Sequence, residues 1–146
     1  MHIERSTDVP GDPLRDESDI RRLLAMYCQL IDDGRFDEWI QLFTDDIEFV
    51  VMGMHKHGHA ELRGFIEPSQ QEDARGKHMI SEPWIEVTSD TTADATTDFA
   101  WVSKQGSIGQ SGRYHDQIVH DGARWRFRRR EIVFTGDQPE LSLIHI

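Results

Sequence analysis

The sequence predicts an α+β fold in which a curved antiparallel sheet, shaped into a cone, wraps around one long N-terminal helix. Two observations lead there. A strong helical periodicity stands near the start, and a run of strand-like segments joined by short turn signals fills the second half. Helices first and strands after is an α+β order, unlike the alternation that builds a parallel sheet. With 146 residues the chain holds one domain with a real core. Residues 1–15, with Pro10, Gly11, Asp12 and Pro13, read as a loose arm, residues 16–136 as the domain, and residues 137–146 as a tail without clear period.

Taken in order, Asp16 or Ser18 caps a helix whose apolar residues Ile20, Leu23, Leu24, Tyr27, Leu30 and Ile31 recur at helical spacing until Gly34. A short helix over residues 36–43, with Trp39 and Ile40, runs into Thr44-Asp45-Asp46, a turn signal ahead of a strand over 47–52. A connection rich in glycine and histidine follows. Residues 61–71 read as a third helix, weakened by Pro68. Four strands are then expected over 77–88, 93–104, 111–120 and 124–134, separated by Ser89-Asp90, Gln105-Gly106 and Asp121-Gly122. Short turns between them make an antiparallel meander.

Charge narrows the function. The formal net charge of −11 repels phosphate backbones and anionic lipid surfaces, so neither nucleic acid nor membrane is an expected partner. The arginine cluster at 124, 126, 128, 129 and 130 lies inside a strand-like segment and reads as a solvent face with one inward guanidinium. Cys28 is the one cysteine, which excludes an internal disulfide and a cysteine-rich metal site. The start lacks a charged region followed by an apolar run, and no stretch approaches the roughly 18 apolar residues that span a bilayer. A soluble, cytoplasmic protein is expected.

On a helical wheel the apolar arc of the first helix runs from Leu30 through Tyr27, Ile31 and Leu24 to Cys28. Asp32 falls just past its edge and Asp33 well outside. Asp32 is therefore the acid of this helix best placed to look into the core, and Tyr27 lies within the buried face with a hydroxyl that needs a partner. His78 shares a strand face with Ile80. If that face is concave, the imidazole meets the helix, and a carboxylate on one ring nitrogen leaves the other as a general base. Each residue alone has a plainer reading, Asp32 as a solvated helix-end carboxylate and His78 as a satisfied core histidine, and periodicity by itself favours the plainer one.

The run Tyr27-Cys28-Gln29-Leu30-Ile31-Asp32-Asp33-Gly34-Arg35-Phe36-Asp37-Glu38-Trp39, then Leu42-Phe43-Thr44-Asp45-Asp46, Lys77-His78-Met79-Ile80, Gly112-Arg113-Tyr114-His115-Asp116 and Asp121-Gly122-Ala123-Arg124-Trp125-Arg126-Phe127, resembles SnoaL-like proteins in family order. These belong to the scytalone dehydratase branch of the nuclear-transport-factor-2-like superfamily, whose fold is also called cystatin-like. The resemblance implies a cone with an apolar pocket and, as in scytalone dehydratase, hexachlorocyclohexane dehydrochlorinase and bile acid 7α-dehydratase, an Asp-His catalytic pair that matches Asp32 and His78. Tyr27 matches a tyrosine of the bile acid enzyme and Arg130 an arginine of the dehydrochlorinase. Ile31, Ser103 and Arg113 stand where scytalone dehydratase has a tyrosine, a histidine and an asparagine, which argues against scytalone as substrate.

What the resemblance implies is a cofactor-free lyase or isomerase acting on a small hydrophobic cyclic or polyketide-like molecule. Its alternatives are a noncatalytic ligand-binding or assembly module like the small subunit of a ring-hydroxylating dioxygenase, and a polyketide cyclase or epoxide hydrolase on the same fold. It also implies a homo-oligomer, a trimer before a dimer. Arg130 shares strand alternation with Ile132 and Phe134 but also with Arg126 and Arg128, so a bulge must intervene if it points inward. His55, His57 and His59 alternate and in an extended segment would project to one side, the spacing of a zinc ligand set. No carboxylate in the sequence is clearly aimed to orient those rings, so no metal is assigned. Asp98 could face the cavity, and His115 and His120 read as strand and turn residues.

Overall fold

Asp12 starts the first helix by accepting the Leu14 amide at 3.1 Å, and Pro13 occupies the first helical position, where its missing N–H leaves nothing unsatisfied. In this computed structural model, which describes residues 11–146, helix α1 thus spans Pro13–Asp32, and its cap, Asp12, stands four residues before Asp16, the earlier of the two expected caps. Residues 1–10 of the expected arm lie outside the described residues. Gly34, at a φ of 69°, ends the helix in the left-handed region. Ile20, Leu23, Leu24, Tyr27, Cys28, Leu30 and Ile31 form its buried face, the arc the wheel predicts.

Helix α2 (Phe36–Trp39) tightens into a single 3-10 turn through Leu42, and β1 (Phe43–Val51) follows at once. Thr44-Asp45-Asp46 do not turn the chain. They lie within β1, where its pairing slips between Phe43 and Glu48. Met52 and Gly53, both at positive φ (52° and 74°), make the two-residue turn into β2 (Met54–His57). Helix α3 (Gly58–Ile66) starts earlier than expected and stops two residues short of Pro68.

The expected strand over 77–88 is divided into β3 (Lys77–Ile80) and β4 (Trp84–Val87), which both pair with β5 (Thr92–Val102). Pro83 has no amide for the ladder, and the Ser81 hydroxyl takes the Asp98 amide at 3.2 Å across the break. Strands β6 (Ile108–His120) and β7 (Trp125–Phe134) complete one sheet of order β2-β1-β7-β6-β5-β3, with β4 also on β5. All pairs are antiparallel except β1 with β7, which closes the meander with a parallel strand.

Strand β7 carries the bulge that an inward Arg130 requires. Gln117 faces Arg129 and the next residue, Ile118, faces Phe127, so Arg128 is supernumerary. Burial changes phase there: Trp125 and Phe127 point inward before it, Arg130 and Ile132 after it. The concave face of the sheet, with Ala93, Ala95, Phe99, Tyr114, Ile118 and these residues, packs on α1 in one core. The tail also enters that core: after a short turn at Leu141–Leu143, Ile144, His145 and Ile146 are buried between α1 and the sheet. No helix among the described residues is long and apolar enough to cross a membrane.

Candidate functional site

Asp32, on the last turn of α1, and His78, near the start of β3, meet across the interface of helix and sheet. The His78 Nδ1 lies 2.6 Å from Asp32 Oδ1, and the His78 main-chain amide donates to both carboxylate oxygens, at 3.0 and 3.2 Å. The His78 side chain is fully buried and that of Asp32 only 5% exposed. An ionised carboxylate can only accept, so Nδ1 carries its hydrogen and Nε2 is left as the basic nitrogen. That Nε2 is buried and has no hydrogen-bond partner among the described residues. An unpartnered basic nitrogen in a dry interior is the feature a general base requires.

Tyr27 stands edge-on to His78, with ring centroids 6.4 Å apart, and also touches Tyr114 at 5.7 Å and Phe127 at 5.9 Å. Behind these rings lies Arg130, its guanidinium carbon 3.8 Å from the Tyr114 centroid and 4.3 Å from those of Tyr27 and Phe127. The Tyr27 and Tyr114 hydroxyls converge on one main-chain oxygen, that of Ile146, Tyr114 at 3.1 Å. Two O–H donors aimed at one acceptor can polarise a carbonyl or hold an oxyanion. Burial is the main influence on both hydroxyls and raises their pKa far above the ordinary tyrosine range, so they are donors at neutral pH.

The structure therefore brings all four sequence-predicted residues, Tyr27, Asp32, His78 and Arg130, into one continuous cluster, but not in equivalent positions. Arg130 does not present a free charge: Asp116 engages its Nε and one terminal nitrogen at 2.7 and 2.8 Å. Arg113 and Asp98 lie elsewhere. They pair with each other on the outer face, each side chain 56% exposed, so Asp98 lines an outer groove and does not face the interior that holds Asp32 and His78. Cys28 is buried and its thiol is pushed up to about 12, chiefly by burial, so it stays a thiol.

Two members of the cluster were missed, Tyr114 and Asp116. They alternate on β6, and Asp116 is the residue directly opposite Arg130, so an inward arginine on β7 was the available signal. The tail was missed as well. His145 stacks on Trp101 with centroids 3.7 Å apart, and Gln70 donates to the Ile144 carbonyl at 2.9 Å. Burial first, and then the nearness of His78, pushes the His145 imidazole down to about 4, which leaves it neutral. Ile144, His145 and Ile146 thereby fill the space beside the Asp-His pair. A groove of about 480 Å³, lined by Asp98, Phe99, Gly112, Arg113 and Phe134 among others, has neither Asp32 nor His78 in its lining.

A family model described as a SnoaL-like domain matches residues 12–131. Among solved structures, a candidate scytalone dehydratase from Novosphingobium aromaticivorans is 24% identical, with a TM-score of 0.75 over 84% of this chain and 85% of that one. The β subunit of a candidate aromatic-ring-hydroxylating dioxygenase from the same organism is 20% identical, with a TM-score of 0.75 over 89% and 95%. A Nostoc punctiforme protein of unknown function with a cystatin-like fold is 20% identical, with a TM-score of 0.79 over 90% and 98%. Such identities carry the fold and not the activity. No curated protein matches the chain.

Proposed function

Because the chain belongs to the SnoaL-like domain family, we propose that it is a cofactor-independent lyase or isomerase acting on a small, largely apolar cyclic or polyketide-like molecule with a carbonyl oxygen. The observation that carries this reading is the His78 imidazole, held by Asp32 at Nδ1 and unpartnered at a buried Nε2.

Nε2 takes a proton from the carbon next to the carbonyl, and Asp32 stabilises the imidazolium that forms. The electron pair of the broken C–H bond moves toward the carbonyl oxygen, where Tyr27 and Tyr114 donate their hydroxyl hydrogens. In a dehydration the pair then forms the new double bond as the β C–O bond breaks, and the proton on His78 leaves with the hydroxyl as water. In an isomerisation the same proton returns to a different carbon. Arg130 acts through its neighbours: its charge lies under both tyrosine rings and favours negative charge on their oxygens, without touching the substrate. The apolar side chains of Ile144 and Ile146 mark where the guest would lie, so binding requires the tail to move out.

A second reading is a noncatalytic assembly module. The filled hollow favours it, as does the likeness in fold to a dioxygenase β subunit.

Deuterium exchange separates the two. Bicyclic ketones incubated in heavy water with the full chain, and with a chain ended at Glu140, should exchange their α-hydrogens faster than in buffer. His78→Ala should lower that acceleration by about 10²–10⁴-fold with the fold intact. Undiminished exchange in His78→Ala removes His78 from the chemistry, and absence of exchange in both chains favours the module.

A further inference from the structure

A second cluster of ligating side chains lies on the β1–β2 hairpin, outside the site just described. His55 and His57 are two residues apart on β2 and project to the same face, their rings 6.2 Å apart and within 19° of parallel. Glu48 of β1 is directly opposite His57 in the ladder, and its carboxylate reaches the His55 Nδ1 at 2.9 Å. One ligating atom from each of the three lies within 4.8 Å of the others. His59 is not part of this group: it has entered α3, and its Nε2 contacts the Phe43 carbonyl at 3.0 Å. The alternation of three histidines along the sequence is thus replaced by two histidines and a carboxylate from the neighbouring strand.

We propose that Glu48, His55 and His57 form a solvent-open site for a divalent transition ion, with Zn²⁺ as the reference case. Imidazole nitrogens suit Zn²⁺, Cu²⁺ and Ni²⁺, whereas Ca²⁺ and Mg²⁺ select oxygen ligands. The hairpin is held by its two-residue turn and by four ladder positions, so the ligands are aligned before the ion arrives. Tetrahedral zinc at ligand distances of about 2.0–2.1 Å needs its donors about 3.4 Å apart, a spacing that small side-chain rotations provide from here. The His55–Glu48 bond is exchanged for two bonds to the metal. Arg129, whose Nε lies 3.6 Å from the other Glu48 oxygen, has Glu131 as an alternative partner at 3.8 Å. Three ligands leave at least one coordination position for water or for a group from outside the chain.

The test is a titration of the full chain with Zn²⁺ against a chromophoric chelator. One equivalent should bind, with affinity lowered about 10–100-fold or more by His55→Ala or His57→Ala, less by Glu48→Gln, and not at all by His59→Ala. Circular dichroism of each variant checks that the hairpin has not unfolded. Zinc bound equally well by the His55→Ala/His57→Ala double variant overturns the proposal, as does the absence of any bound equivalent in the unaltered chain. Loss on His59→Ala overturns the assignment of ligands.

Discussion

Asp116 grips Arg130 through two bonds, 2.7 and 2.8 Å long, where both side chains are wholly shielded from water. The pair is enclosed by Tyr27, Tyr114 and Phe127, and the remaining terminal nitrogen of Arg130 has no partner among the described residues. Burial pushes the Asp116 carboxyl above its usual range while the adjacent guanidinium pulls it back, which is the signature of a pair that survives by mutual support.

Removing one partner should therefore cost far more than removing both. Asp116→Ala leaves a buried guanidinium uncompensated and should lower the unfolding free energy by about 3–5 kcal/mol in urea. Asp116→Leu combined with Arg130→Met should recover most of that loss. A single variant within about 1 kcal/mol of the parent would show that water reaches Arg130.

Tyr27 and Tyr114 are the only tyrosines, so tyrosinate absorbance reports on the site alone. Burial raises both above the ordinary value of 10.0. A raised value favours the protonated form in the fold, so the stabilisation is complete below pH 10 and is lost as pH climbs through the folded values. The native protein should show no tyrosinate at pH 10, and tyrosinate should appear only together with loss of near-ultraviolet dichroism. Gradual ionisation at pH 10 with the fold intact would place the hydroxyls in contact with solvent.

Ending the chain at Glu140 withdraws Ile144, His145 and Ile146 from the core. Each isoleucine contributes about 1.5–3 kcal/mol of burial, so the shortened chain should be less stable but still folded, because α1 and the sheet keep their own contacts. It should also bind an apolar fluorescent probe more tightly than the full chain, whose tail must first move out. A shortened chain that binds no probe would mean that the sheet collapses onto α1 and leaves no room for a guest.

Association of the chain is directly measurable. Met79 and Val133 are about half exposed and Trp84 more so, apolar surface that a partner chain could cover. We propose a homotrimer. Light scattering should give three times the mass of one chain, and Trp84→Glu or Val133→Glu should reduce it. A monomer at micromolar concentration contradicts this.

Much of this architecture was legible in local pattern. The helical arc of α1 placed Asp32 at the rim of the buried face, strand alternation placed His78 with Ile80, and the conflicting alternations around Arg130 required the bulge found at Arg128. What escaped depends on pairings between distant segments. The parallel junction of β1 with β7 leaves no short-range mark, and neither does the Glu48 carboxylate, which reaches the hairpin histidines from the neighbouring strand. Thr44-Asp45-Asp46 carried turn chemistry, yet the sheet absorbed them as an irregularity because their flanks, Phe43 and Ile47, are both buried.

Catalysis by His78 requires that Asp32 hold the imidazole hydrogen on Nδ1 and leave Nε2 bare. A long-range ¹H–¹⁵N spectrum of the imidazoles reads this tautomer directly. His78 should show a protonated Nδ1 with a strongly downfield hydrogen that vanishes in Asp32→Ala. A neutral ring with its hydrogen on Nε2, or a signal unaffected by Asp32→Ala, would contradict it.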